Sequence, residues 1–212
     1  MQVRLVAITK PVIPEASTPG ELIAYCARVS NPANQGNTAT APKLLRYLLD
    51  NKHVSPLEMA HMVLEIETTR DIARQILRHR SFSFQEWSGR YSEMPDEPVL
   101  REARMQDTKN RQNSLPCNDD DLQEAWENTQ AEVMGLAVDR YQWALRKGVA
   151  KEVARAVLPE GMTQSRLYMS GTVRSFLHYV EVRTDPSTQK EHREVAQACA
   201  AILYEQFPEL QA

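Results

Sequence analysis

Arg78, His79, Arg80 and Arg90 place three arginines and a histidine within thirteen positions of the sequence. The whole chain of 212 residues carries a formal net charge of −3. This stretch therefore reverses the local sign, as an anion site does. Arginine points to phosphate in particular, because its planar fork can hold two oxygens at once. The helix dipole also favours such a cluster at a helix end without any ligand. Ser88 lies inside the stretch, but a serine nucleophile needs a base within hydrogen-bond reach. Its arginine neighbours cannot accept a proton, so Ser88 reads as a ligand-binding hydroxyl. Cys26, Cys117 and Cys199 are an odd number without metal-type spacing. Cys26 and Cys199 sit in apolar helical stretches and read as buried thiols. His61, His178 and His192 show no paired spacing, so no metal is expected.

The elements that must position these residues are mostly helical. Residues 1–9 alternate apolar and polar side chains and predict a strand. Thr18, Pro19 and Glu21 form a capping box with proline at the first helical position. The helix it opens places Leu22, Ile23, Cys26 and Val29 on one face. Residues 31–37 read as a loop, and a helix over 42–51 turns Leu44, Leu45, Leu48 and Leu49 inward. Ser55-Pro56-Leu57-Glu58 repeats the capping-box pattern and predicts a short helix. A strand follows over 62–68. Thr68 or Thr69 then caps a helix running to about residue 80, with Ile72, Ile76 and Leu77 facing the core. On that helix Gln75 and His79 share one side, and Arg74 and Arg78 another. Residues 81–91 read as a loop leading to a short strand, and the polar stretch 92–121 as a flexible insertion. A long helix over 122–147 carries an apolar stripe of Leu122, Trp126, Thr129, Val133, Leu136 and Tyr141. A helix over 151–158, a strand over 165–172 and helices over 173–182 and 187–206 complete the chain. Few strands without regular strand–helix alternation favour a helix-rich α+β fold, one domain over 1–212 with a small, mainly antiparallel sheet.

Hydrophobic residues make up 42% of the chain and charged residues 25%, enough for a core and a solvated surface. No apolar run approaches the ~20 residues that span a bilayer. The first residues lack the apolar segment of a signal peptide, so a cytoplasmic protein away from membranes is expected. A pI near 6.0 argues against a module that binds nucleic acid through its arginines.

The string Arg78-His79-Arg80, seven residues, Ser88-Gly89-Arg90-Tyr91 resembles the signature of flavin-dependent thymidylate synthases. Three further segments match in order. His53-Val54-Ser55-Pro56-Leu57-Glu58 resembles His-x-Ser/Thr-Pro-x-Glu. Ala154-Arg155-Ala156-Val157-Leu158-Pro159 resembles Ala-Arg-x-x-Leu-Pro. Residues 174–189 resemble the family's Arg/His-x-Leu-x-x-Phe-Leu-x-x-Arg-x-Asp-x-x-Ala-Gln segment. Gln85 stands where many members have Asn, and Pro186-Ser187-Thr188 replaces the usual Ser-His-Ala, which removes a histidine that often contacts the flavin dinucleotide.

The resemblance implies reductive methylation of dUMP to dTMP, with FAD as cofactor and methylenetetrahydrofolate and NADPH as co-substrates. It implies a dUMP site of Gln75, Arg78, Glu86, Ser88, Gly89, Arg90, Arg155 and Arg183. It implies a FAD site of Ser55, Glu58, Arg78, His79, Arg80, Arg174 and His178. Arg183 is expected to stabilise a developing enolate oxygen beside the uracil, and His53 to organise proton transfer or the folate approach. A homotetramer with active sites at subunit junctions is implied, with Arg155 reaching the nucleotide from a neighbouring subunit. No cysteine falls in a matching motif, so a cysteine nucleophile has no support. A related flavin enzyme that hydroxymethylates a pyrimidine nucleotide stays open.

Overall fold

The computed structural model describes residues 1–94 and 97–211. Strand β1 (Gln2–Ile8) is followed by helices α1 (Pro19–Ala27) and α2 (Ala41–Asp50), strand β2 (His61–Thr69), helix α3 (Arg70–Ile76) and strand β3 (Ser83–Glu86). Strands β4 (Arg104–Gln106) and β5 (Ser114–Pro116) form a hairpin. Helices α4 (Asp120–Arg146) and α5 (Lys151–Ala154), strand β6 (Gln164–Thr172) and helices α6 (Val173–Arg183) and α7 (Lys190–Gln206) complete the chain. Among the described residues, no helix is long and apolar enough to cross a membrane.

The main sheet has the order β1-β2-β6-β3, and every pairing is antiparallel. Alternation along β2 and β6 sends Met62, Leu64, Ile66, Leu167 and Met169 to one face, all 0% exposed. Ile23, Leu45, Ile72, Ile76, Phe176, Tyr179, Val195, Cys199 and Leu203 cover that face from α1, α2, α3, α6 and α7. Burial pushes the Cys199 thiol up to about 12, so it is an inert core group. The opposite face carries polar pairs, with the Arg4 Nε donating to Glu65 Oε1 at 2.7 Å. That bond, together with the Tyr168 hydroxyl, holds Glu65 at about 2.

A second apolar cluster lies under α4. Met94, Met134, Ala137, Tyr141, Ala144, Ala154 and Leu158 fill it. The buried stripe of α4 is Gln130, Met134, Ala137, Tyr141 and Ala144, the 4-3-4-3 spacing of a packed helix face. The expected stripe is therefore displaced. Of its members only Tyr141 is buried, while Leu122, Trp126, Val133 and Leu136 are 40% to 57% exposed. The segment that leads into the hairpin explains part of this shift. Gln130 and Gln123 point inward because their amides bond the backbone of Arg101 and Ala103. The stretch expected as a flexible insertion thus carries a hairpin tied to α4, although its positions 95 and 96 lie outside the described residues. Asp119 caps α4, accepting from Leu122 N at 3.0 Å, and Gly148 ends it at φ +80°.

The capping box of α1 forms as expected, with the Thr18 hydroxyl and the Glu21 carboxylate bonding each other's backbone N–H. Val29, by contrast, lies past the helix end and is 69% exposed. Ser55 caps nothing. The residues Ser55–Met59 form a 3-10 turn without a side-chain cap, because Glu58 is drawn to Arg174 instead. Helix α3 stops at Ile76 rather than near residue 80. Arg78 N and His79 N bond carbonyls three residues back. This tightened turn frees Phe82 to pack on Phe176 and β3 to pair with β6 from Ser83.

Candidate active site

Adjacent residues on a helix point about 100° apart, and α3 uses that difference to face two neighbourhoods. Arg74 turns toward the segment after α5, where its Nε donates to Glu160 Oε2 at 2.6 Å. Gln75 turns toward α7, where its Nε2 donates to Gln189 Oε1 at 2.8 Å. The expected site residues sort into groups along the same division.

The first group lies between α3, α6 and α7. The Arg183 Nε donates to His79 Nε2 at 2.9 Å, so that ring nitrogen is an acceptor and its proton sits on Nδ1. The His79 ring stands edge-on to Tyr179, 5.0 Å between centroids. Burial first, and the charge of Arg183 second, hold His79 at about 4, so it is neutral at pH 7. Among the described residues, His79 is the hydrogen-bond partner of the Arg183 guanidinium, whose other N–H groups are left for a ligand. Gln75 also approaches the fully buried His192, whose Nδ1 is 3.2 Å from its Oε1.

A second group gathers where the loop after β3 meets α5. Glu86 accepts from Ser165 Oγ at 2.8 Å, and Ser88 Oγ accepts from Arg90 N at 3.3 Å. Arg90 pairs with Glu152 at 3.3 Å. Among the described residues, the Ser88 hydroxyl bonds backbone and no base. Arg155 lies beside this loop in the same chain, for a Cβ on Gly89 would come 3.4 Å from its Cδ. Within one chain Arg155 thus adjoins Gly89, while the expectation that it reaches the nucleotide from a neighbouring subunit concerns the assembly. The local cause is the turn from α5 into Arg155–Val157, which seats Ala154 and Leu158 in the cluster with Met94. Arg70, Arg74, Met94, Glu152, Arg155 and Glu160 line a cleft of 320 Å³ here. A larger cleft of 410 Å³ between Arg101, Glu102 and Glu191 holds none of the expected residues.

The third group joins the turn Ser55–Met59 to the start of α6. Glu58 accepts from Arg174, and Ser175 Oγ donates to the carbonyl of Ser81 at 3.2 Å. Arg78, Arg80 and His178 are exposed, and Arg80 immediately precedes the Ser81 whose carbonyl that bond holds. Among the described residues, the Arg78, Arg80 and Arg155 guanidinium groups have no ion-pair or hydrogen-bond partner. His53 is exposed, its backbone N–H bonds the Leu48 carbonyl, and its ring meets the edge of Tyr47, 6.3 Å between centroids. The sequence reading overlooked Tyr179, His192 and Glu191 as supports of this site. A lone histidine on an apolar helix face carries no signal of its partner, although Gln189 stood in a matched segment.

The chain matches a family model described as "Thymidylate synthase complementing protein" over residues 12–209. It is 50% identical over 215 residues to a flavin-dependent thymidylate synthase of Synechocystis sp., covering 100% of this chain and 98% of that one. It is 48% identical over 210 residues to a probable flavin-dependent thymidylate synthase of Paramecium bursaria Chlorella virus 1, covering 99% and 97%. Its fold is similar to the crystal structure of a UMP/dUMP methylase from Streptomyces cacaoi bound with 5-Br dUMP. That match has a TM-score of 0.83 at 25% identity, covering 98% of this chain and 91% of that one.

Proposed function

The chain belongs to the flavin-dependent thymidylate synthase family, and from that premise we propose how its residues carry the reductive methylation of dUMP to dTMP. The observation that carries the assignment is the pair of anion-ready groups at the two ends of one short helical region. One is Arg78 and Arg80 beside the Glu58–Arg174 pair, and the other is Arg90 and Arg155 around Gly89. Two cations without a counter-ion among the described residues, and a third whose carboxylate partner is exposed, fit the pyrophosphate of FAD. Ser55, His79 and His178 complete that site. When bound, FAD supplies the hydride that completes the methyl group, taken from NADPH. Methylenetetrahydrofolate supplies the carbon, with His53 at its approach.

Arg90, Arg155 and the backbone of residues 86–90 hold the dUMP phosphate, with the Ser88 hydroxyl donating to it, and Glu86 accepts from a sugar hydroxyl. Gln75, Arg78 and Arg183 address the base. The neutral His79 leaves the Arg183 charge uncompensated, so a fixed positive charge faces the oxygen on which enolate charge develops. Gln75 and Arg183 face α7, whereas Arg90 and Arg155 face α5. A complete site therefore forms when the first group of one protomer meets the second group of another. A homotetramer in the cytoplasm with sites at its junctions is the assembly proposed. The exposed Leu122, Trp126, Val133, Leu136 and Trp143 of α4 support a protein that buries this surface on association.

The test is product analysis. Purified protein is denatured and its released flavin identified, then turnover is followed with dUMP, methylenetetrahydrofolate and NADPH. The expected result is FAD and dTMP. Release of FMN, no flavin, or 5-hydroxymethyl-dUMP overturns the corresponding part of the reading. UMP in place of dUMP tests the sugar preference.

A further inference from the structure

We propose that His192 is a positioning residue for the nucleotide, fixing the side-chain amide of Gln75 in one of its two orientations. The inference rests on the reading of Gln75 as a dUMP contact.

His192 is the third residue of α7 and is 0% exposed, as is Tyr179. Its Nδ1 lies 3.2 Å from Gln75 Oε1 and its Nε2 3.2 Å from Tyr179 Oη. In a buried network each donor must face an acceptor. The direction here is set from outside the network by a carboxylate. Burial, the largest single influence, pushes the Glu191 carboxyl up, but Arg104 at 2.7 Å, a backbone N–H, the Gln189 amide and the Arg101 charge together outweigh it and hold the group at about 2. An ionised carboxylate only accepts. Gln189 must therefore turn its Nε2 to Glu191 Oε2, at 3.0 Å. Its Oε1 is then left to accept from Gln75 Nε2. The Gln75 carbonyl consequently faces His192, whose Nδ1 must carry the proton. His192 Nε2 then accepts from the Tyr179 hydroxyl. Burial and the charge of Arg183 hold His192 at about 4, which keeps the single-proton form that this relay requires.

The result is an amide that cannot flip. A reversed Gln75 would set its NH₂ against the Nδ1–H and its oxygen against that of Gln189. Gln75 thus offers a ligand one N–H and one carbonyl lone pair on fixed sides. A freely rotating glutamine would lose half of its encounters with a base edge whose donors and acceptors run in one order.

Asparagine at 192 sets an amide N–H near the place of Nδ1, and glutamine sets its amide near the place of Nε2. His192→Leu is expected to raise the KM for dUMP about tenfold, the order of one lost neutral hydrogen bond, with flavin content unchanged. His192→Asn recovers most of that loss, and His192→Gln does not. In a Gln75→Ala background, His192→Leu adds nothing further. Equal behaviour of the Asn and Gln variants, or a His192→Leu effect that persists without Gln75, overturns the proposal. If His192→Leu fails to fold, the Asn and Gln pair decides alone. Gln75→Ala by itself separates the two levels. An unchanged KM for dUMP there refutes the reading of Gln75, whatever His192 does.

Discussion

Mixing two inactive variants tests whether each site is shared between protomers, and the structure dictates which pairs can rescue each other. Arg90 and Arg155 lie together beside Gly89 in one chain, and Arg183 lies with His79 on the other side of α3. Arg183→Ala protein carries an intact Arg90 group, and Arg90→Ala protein carries an intact Arg183 group. If a site takes one group from each of two protomers, equal random mixing makes each group intact with even odds. About a quarter of sites then regain both, so activity returns to roughly a quarter of wild type in a closed symmetric assembly. Mixing Arg90→Ala with Arg155→Ala should give no recovery, because both changes fall in the same group and no chain supplies it whole. The assay is dTMP formation after subunit exchange, with native mass measurement confirming mixed assemblies. Mixed assemblies without recovery in the Arg183→Ala and Arg90→Ala pair would refute the shared site. Recovery in the Arg90→Ala and Arg155→Ala pair would refute their placement in one group.

Three further outcomes are expected. In Gly89→Ala the new Cβ would come 2.5 Å from Met94 Sδ, in a cluster where Met94 is 4% exposed, so the loop must shift. The KM for dUMP should rise at least about tenfold, equivalent to ~1.4 kcal/mol, and an unchanged KM by steady-state kinetics would dissociate the loop from the nucleotide. Tyr141→Phe removes the hydroxyl that accepts from Met94 N at 3.0 Å and strands a buried N–H. Denaturant unfolding should show a loss of about 1–3 kcal/mol, and a value within error of wild type would count against that bond. Finally, His79 and His192 are held at about 4 against an ordinary 6.5. The unfolded chain binds more protons between those values, so stability is full above pH 6.5 and falls as pH drops toward 4. The slope is at most ~1.4 kcal/mol per pH unit for each histidine. A flat profile from pH 7 to 5 in unfolding titrations would contradict the neutral, buried state of both.

Much of the fold is written in local pattern. The alternation that predicts strands at both ends of the sheet core, the Thr18 capping box and the long helix before Gly148 all depend on residues close in sequence. Where the reading slips, a distant partner decides. Leu122 to Leu136 looks like the inward stripe of α4 until Arg101 and Ala103, just before the hairpin, draw Gln130 and Gln123 inward to satisfy their backbone. Ser55 and Glu58 read as a reciprocal cap until Arg174, over a hundred residues later, takes the carboxylate. The arginine cluster was legible because charge reversal needs no tertiary information. The network around Gln75 was not, because Glu191, His192 and Tyr179 acquire their roles only when α6 and α7 are packed together.

The free edges of the sheet also bear on how copies of this chain can meet. β1 is one edge, and its pairing with β2 shifts register between Leu5 and Ala7, an irregularity that kinks and twists a strand. β3, the other edge, offers only four residues, its pairing with β6 running on just to the bond from Trp87 N–H to the Arg166 carbonyl. Neither border presents a long, flat row of backbone groups for strand addition. Association is thereby steered away from open-ended stacking and toward closed contacts between side chains, the kind in which the number of partners is finite.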